Sequence, residues 1–248
     1  MTKGFDCSTP LTAPTASAFV KDGYSFVARY LVPSGFKALT KAEADTISQA
    51  GLHIVSVFET TASRALDGRN AGLADGATAL QVAHNLSQPA GSCIYFAVDF
   101  DASSAQMPAV IAYIQAASEA TPEYTTGVYG SFSVMEAVQK AGACSHFWQT
   151  YAWSGGEKST FINIYQYFNE VVEHGIDIDH DESYGNEGWW NTVVPPEPPI
   201  SYPLSPGDAN LIIPFLSAGY FATNSPAARE EFHRLANELR KASGQPEQ

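Results

Sequence analysis

The sequence predicts an α/β protein built on a closed (β/α)8 barrel of the TIM type, somewhat irregular in its last strands. Eight short β-rich runs follow one another along the chain, and stretches with helical spacing separate the early ones. Strands that alternate with helices are typical of a parallel sheet with helical crossovers. No glycine-rich phosphate loop follows the first run, GFDCSTPL, so an open dinucleotide-binding sheet is the less favoured alternative.

The predicted strands are bounded by residues that favour turns. They cover residues 4–8, 24–32, 52–60, 93–101, 124–131, 146–153, 162–168 and 175–181. The predicted helices cover residues 39–51, 70–86, 107–120 and 133–142. Thr40 is the expected N-cap of the first of these helices, and Ser133 that of the last. Only short connections follow the sixth strand, which predicts an irregular closure of the barrel.

Composition narrows the function before any motif is considered. The 248 residues are enough for one large domain, or for a barrel with an appendage. No apolar run approaches the roughly 20 residues that cross a bilayer, so no membrane partner is expected. The net charge of −13 argues against nucleic acid as a partner, because clustered Lys and Arg bind phosphate backbones.

The cysteines and the N-terminus bear on the compartment. Cys7, Cys93 and Cys144 are widely spaced and predict neither a disulfide framework nor a metal site. The first residues, MTKGFDCSTP, run into a strand without an apolar signal region. We therefore expect a protein that is cytoplasmic until lysis or non-classical export releases it, or one that is associated with a virion.

A change in composition after residue 192 predicts three segments. Residues 1–192 form the barrel, residues 193–207 a linker with six prolines, and residues 208–248 a helical extension. In the extension, Ser225 is the expected cap of a helix that Gly244 ends. This arm either packs on the barrel or docks to another subunit or protein, and the sequence leaves both open.

Acidic residues occur where the predicted strands end. In such barrels the active site collects residues from the carboxyl ends of several strands. The acids expected there are Asp6, Glu59, Asp99, Asp101, Asp177 and Asp179. Because side chains alternate along a strand, Asp99 and Asp101 should point the same way, as should Asp177 and Asp179. The expected substrate-binding residues at this rim are Arg29, Tyr129, Trp148, Gln149, Gln166, Tyr167 and Asp179.

Crowded carboxylates are suited to acid–base chemistry. Mutual repulsion raises the pKa of at least one of them, which leaves a protonated acid beside an ionised partner. Glycoside hydrolysis needs this division, because one group protonates the leaving oxygen while the other acts as nucleophile, base or charge stabiliser. The alternative is that the strand carrying Asp99 and Asp101 simply ends in solvent, in which case the two acids have no catalytic role.

Several motifs in order carry a family resemblance. GFDCS, YFAVDFD, GVYGS, FWQTYAW, IYQY and GIDID together resemble the glycoside-hydrolase-like domain family catalogued as domain of unknown function 1906. That family is related to the glycoside hydrolase family 25 lysozymes, which cut the β-1,4 bond after N-acetylmuramic acid. The resemblance implies that Asp6, Asp99 and Asp177 match acids of those lysozymes, with Asp179 as a competing match. Asp101 stands where they carry a Glu.

The expected function is therefore that of a glycoside-hydrolase-like protein acting on cell-wall glycan, with peptidoglycan as the substrate and with no cofactor or metal ion. Asp99 and Asp101 are the predicted catalytic pair, Asp6 and Asp177 are predicted to position and stabilise charge, and Glu59 is the reserve acid. The alternative is a catalytically inactive glycan-binding module, carried on a phage particle or another assembly.

Overall fold

The computed structural model describes residues 1–193 and 204–247, which form two compact units on either side of the undescribed segment. Most of the predicted linker, residues 194–203, lies outside the described residues. The first unit is a closed barrel, as predicted, with its strands hydrogen-bonded in sequence order. The strands are β1 (Thr2–Asp6), β2 (Phe26–Tyr30), β3 (His53–Phe58), β4 (Cys93–Ala97), β5 (Thr125–Gly130), β6 (His146–Thr150), β7 (Ile164–Glu173) and β8 (Ile176–Ser183).

Helices connect only the first six strands. They are α1 (Ala13–Lys21), α2 (Lys41–Ala50), α3 (Gly68–Leu86), α4 (Met107–Ala120) and α5 (Phe132–Lys140), and a 3₁₀ turn (Arg64–Asp67) precedes α3. Thr40 caps α2 by accepting from the Glu43 N–H, as predicted. The N-cap of α5 is Ser131 rather than Ser133, so this helix begins earlier than expected.

The eighth strand departs from the predicted parallel arrangement, because β8 runs antiparallel to both of its neighbours, β7 and β1. The turn between β7 and β8 is only His174 and Gly175, and a parallel crossover needs a dozen residues or more. Both residues have positive φ, 50° and 75°, as in the tight turns that suit twisted hairpins. Asp177 and Asp179 therefore lie near the amino end of their strand.

Alternate residues of each strand face opposite sides of the barrel wall. One apolar cluster fills the interior: Phe26, Ala28, Val55, Val57, Cys93, Tyr95, Ala97, Tyr129, Trp148 and Ile164. The larger cluster lies between the wall and the helices and includes Phe5, Val27, Ile54, Phe96 and Val128. Gly4 faces inward, where an added Cβ would lie 2.1 Å from the Phe26 ring. Glycine at this position lets that ring fill the barrel.

The second unit contains two helices, α6 (Pro206–Ala222) and α7 (Pro226–Ala242). Ser225 caps α7 as predicted by accepting from the Ala228 N–H, and a small cluster joins the two helices through Ala209, Ile213 and Ala236. Helix α6 begins two residues earlier than the predicted extension. In residues 1–193 and 204–247, no helix combines the length and apolar character needed to cross a membrane.

Candidate active site

A cavity of about 270 Å³ opens where the parallel strands end. Its lining consists of Asp6, Tyr30, Val57, Glu59, Ala97, Asp99, Tyr129, Trp148, Ala152, Trp153, Gln166, Asn169, Glu170 and Asp179. Residues from β1 to β8 thus converge on one opening. Seven of the residues expected at this rim are in the lining: Asp6, Glu59, Asp99, Tyr129, Trp148, Gln166 and Asp179.

Three of the expected substrate-binding residues lie elsewhere, because each is one position away from an inward-facing side chain. Arg29 is fully buried on the outer side of β2, where its Nε donates to Glu43 at 2.8 Å. Gln149 is also fully buried, and its amide binds the Glu157 carbonyl at 2.8 Å. Tyr167 is 41% exposed and its ring packs near His180. None of the three is in the cavity lining.

The expected pairing of Asp99 with Asp101 does not form. Strand β4 ends at Ala97, so the chain has left the regular alternation before Asp101, which is exposed. Asp177 is exposed as well, because it pairs with Val172 near the tip of the β7–β8 hairpin. Neither side chain lines the cavity. The acids that share the mouth with Asp99 are instead Asp6, Glu59 and Asp179, together with Glu170.

One amide organises the floor of the cavity. The Nε2 of Gln166 donates to Asp6 Oδ2 at 2.8 Å and to Asp179 Oδ2 at 3.1 Å, and its Oε1 accepts from the Tyr129 hydroxyl at 2.8 Å. Asp6 and Asp179 are also direct partners in the β1–β8 register. Gln166 therefore holds the carboxyl groups of Asp6 and Asp179 side by side.

Burial is the main cause of the altered acidity at this floor. It raises the pKa of Asp6 to about 8, and repulsion from Asp179 and Asp99 adds to the effect of burial. The pKa of Asp179 is also raised, first by burial, while a hydrogen bond of 2.8 Å from the Glu170 N–H opposes the rise. Asp6 is therefore mostly protonated at neutral pH.

A lysine modifies the acids at the rim. Lys37 Nζ lies 3.4 Å from Glu59 Oε1 and over the Tyr30 ring. Burial raises the pKa values of both Glu59 and Asp99, but the positive charge of Lys37 opposes the rise in each case. Lys37 therefore favours the ionised forms of Glu59 and Asp99, whereas the charged neighbours that act on the pKa of Asp6 are acids.

Sequence reasoning missed three lining residues that could contact a substrate and one buried acid beside the cavity. Trp153, Asn169 and Glu170 line the cavity from the loop after β6 and from the irregular part of β7, where strand periodicity gives no signal. Trp153 and Glu170 both have positive φ, 54° and 60°, and such strain is often found at functional sites. The Oδ1 of Asn169 is buried without a hydrogen-bond partner among the described residues. The fourth is Asp181, two residues beyond Asp179, which the alternation of GIDIDHD could have indicated.

Outside the cavity, the described residues include one cluster with metal-ligand chemistry. Ligand atoms of Asp22, Glu173 and His174 lie within 4.8 Å of one another. His174 Nε2 and Asp22 Oδ2 are 2.7 Å apart, so these two side chains satisfy each other. Cys7, Cys93 and Cys144 are free thiols, and burial raises the pKa of each of them, which makes a metal ligand or nucleophile unfavourable there.

A closed α/β barrel with acidic side chains gathered at its mouth defines a glycoside-hydrolase-like protein. The chain belongs to the family of Rv2525c-like, glycoside hydrolase-like domains, whose model matches residues 17–188. The resemblance drawn from the motifs is therefore confirmed.

Similar proteins fall into two groups. The protein YbfG of Bacillus subtilis is 29% identical over 222 residues, which cover 79% of this chain but only 30% of YbfG. The chain thus spans less than a third of that relative. Among solved structures, the Tat-secreted protein Rv2525c of Mycobacterium tuberculosis, in complex with L-tartrate, has a TM-score of 0.67 at 22% identity, covering 76% of this chain and 98% of that one. The catalytic domain of the endolysin ply40, from a bacteriophage of Listeria monocytogenes, has a TM-score of 0.52 at 13% identity, covering 76% and 95%. These likenesses establish a fold shared with endolysins.

Proposed function

We propose that this protein is a glycoside hydrolase that cleaves the glycan of peptidoglycan at the mouth of the barrel. The observation that carries the proposal is Asp6, whose pKa of about 8 leaves it a proton donor near neutral pH in a cavity that also holds Asp99 and Asp179. A protonated acid beside ionised carboxylates is the arrangement that glycosidic cleavage requires.

In this proposal Asp6 gives its proton to the leaving oxygen as the glycosidic bond breaks, and the water that then adds to the anomeric carbon returns a proton to Asp6. Asp99 is the partner that acts in its ionised form, which the positive charge of Lys37 favours against the rise in pKa that burial causes. Its negative charge stabilises the positive charge that develops on the sugar ring, either directly or through the substrate's own acetamido group. Glu59 is less suited to act as the acid, because it pairs with Lys37.

Two other lining residues suit a sugar substrate. Trp153 is 45% exposed and offers a flat apolar face at the opening. Asn169 also lines the cavity, and a side-chain amide suits a hydroxyl or an acetamido group of the glycan. The endolysin among the structural neighbours makes peptidoglycan the natural first substrate to test.

The test is incubation of the full chain with purified peptidoglycan, with release of new reducing ends as the readout. Asp6→Asn should abolish release, whereas Asp177→Asn, the matched control outside the cavity, should retain it. Sedimentation with the cell wall without any new reducing ends would contradict the hydrolase and support a glycan-binding module instead. The glycan-binding alternative is supported by the position of Asp101, because this member of the predicted catalytic pair does not line the cavity.

A further inference from the structure

Asp181 is a fully buried acid that the proposed reaction does not use. It lies in β8, is 0% exposed and accepts a hydrogen bond of 2.8 Å at Oδ1 from the Trp148 indole Nε1. Its Oδ2 is buried and has no donor among the described residues. Burying an ionised carboxylate is unfavourable when one of its oxygens accepts no hydrogen bond. In a neutral carboxylic acid, the same oxygen can carry the proton and act as an O–H donor.

Asp6 is the carboxyl group beside Asp181 on the inner face of the barrel. In the β1–β8 register Asp6 pairs with Asp179 and Gly4 pairs with Asp181, so Asp6 and Asp181 are diagonal neighbours on the inner face. Gly4 has no side chain to separate them, and a hydrogen bond between the two carboxyl groups lowers the pKa of Asp6 and raises that of Asp181. A proton on Asp181 Oδ2 therefore gives this buried oxygen a hydrogen-bond acceptor in Asp6, whether or not Asp6 carries a proton of its own.

The surrounding charges favour the neutral form of Asp181. The titratable groups whose charges act on Asp181 or are acted on by it are Asp6, Asp179, Tyr129 and Tyr167, and those that interact in the same way with Asp6 also include Asp99, Tyr30 and Cys7. The nearby cations are engaged elsewhere: Arg29 with Glu43, Lys37 with Glu59, and Lys3 over the Tyr24 ring. Burial, followed by the charge of Asp6, raises the pKa of Asp181 well above its usual value.

We propose that Asp181 remains a neutral carboxylic acid in the folded protein and donates a hydrogen bond to Asp6. This bond lowers the pKa of Asp6, which burial would otherwise raise further. Asp181 is thus a positioning residue that acts through Asp6. Its role in catalysis rests on the proposed function, whereas its protonation does not.

The first test is a titration of the full chain with carbon-13-labelled aspartate carboxyl groups, followed by NMR from about pH 4 to about pH 10. We expect one aspartate to stay protonated above the titration of Asp6 and its signal to be absent from Asp181→Asn. Asp6→Asn assigns the Asp6 signal. If every aspartate is ionised once Asp6 has titrated, the proposal is wrong.

The second test measures the titration midpoint of the Asp6 carboxyl group in two variants with substitutions at position 181. In Asp181→Asn the side-chain amide replaces the O–H as donor, so the Asp6 midpoint should move by less than about half a unit, whereas Asp181→Leu removes the donor and should raise it. If Asp181 were ionised, Asp181→Asn would remove a negative neighbour and lower the midpoint by about 1 to 3 units. If Asp181→Leu does not fold, the comparison of the Asp6 midpoint between Asp181→Asn and the unmodified protein still tests whether Asp181 is neutral. Because activity is not measured, the outcome is independent of the hydrolase proposal.

Discussion

Gln166 contacts three polar groups at the floor of the cavity: Asp6, Asp179 and Tyr129. We expect Gln166→Met, which keeps the length of the side chain, to lower the free energy of unfolding by about 1 to 3 kcal/mol, because two partly buried carboxyl groups lose their donor. Tyr129→Phe removes one hydrogen bond and should cost about 1 kcal/mol. Urea unfolding measures both. Equal stability of Gln166→Met and the unmodified protein would contradict the network.

The acidity of Asp6 predicts how stability depends on pH. Because the folded pKa of about 8 exceeds the ordinary value of 3.8, the folded state holds a proton that the unfolded chain has lost between these pH values. Stability from this group is therefore fully present below the lower value and falls as pH rises toward the upper one, by at most ~1.4 kcal/mol per pH unit. Asp6→Asn should flatten this slope in urea unfolding measured across the range. An unchanged slope would show that Asp6 is not the group responsible.

At the scale of elements, the β7–β8 hairpin brings Asp179 and Glu170 to the mouth. Its turn residue Gly175 has φ +75° and no neighbouring atom within 4 Å of an added Cβ, so backbone strain alone decides a substitution there. Gly175→Ala should lower the thermal stability by an amount equivalent to about 1 to 2 kcal/mol. Gly175→Asn is the matched control and should cost less, because Asn tolerates this conformation. Equal losses in both variants would contradict this explanation.

The sequence predicted the order of the strands, but neither the exact residue at which each strand ends nor which face of the sheet each residue occupies. Strands β2 and β4 are apolar on both sides, since their outer faces contact helices and their inner faces fill the barrel. Without alternation, Arg29 could not be separated from Tyr30, nor Gln149 from Trp148. Asp101 was assigned to the mouth because the predicted strand ran beyond Ala97, where β4 ends.

At the scale of the whole molecule, the barrel was predictable because eight apolar runs, the early ones separated by helical stretches, repeat along the chain. In the structure these runs form a barrel that closes by pairing β1 with β8. The direction of β8 depends on a two-residue turn, and its consequence for Asp177 and Asp179 required the structure. Trp153, Asn169 and Glu170 meet at the cavity only through the folded loop and the irregular strand, so their convergence is a property of tertiary structure.

The most direct measurement compares the initial rates at which Asp99→Asn and Asp101→Asn release reducing ends from purified peptidoglycan. The two aspartates are two residues apart, and only Asp99 lines the cavity. The account predicts that Asp99→Asn loses at least about 100-fold in rate, as removal of an electrostatic stabiliser does, while Asp101→Asn keeps the rate of the unmodified protein. Equal losses in the two variants, or a loss confined to Asp101→Asn, would contradict it.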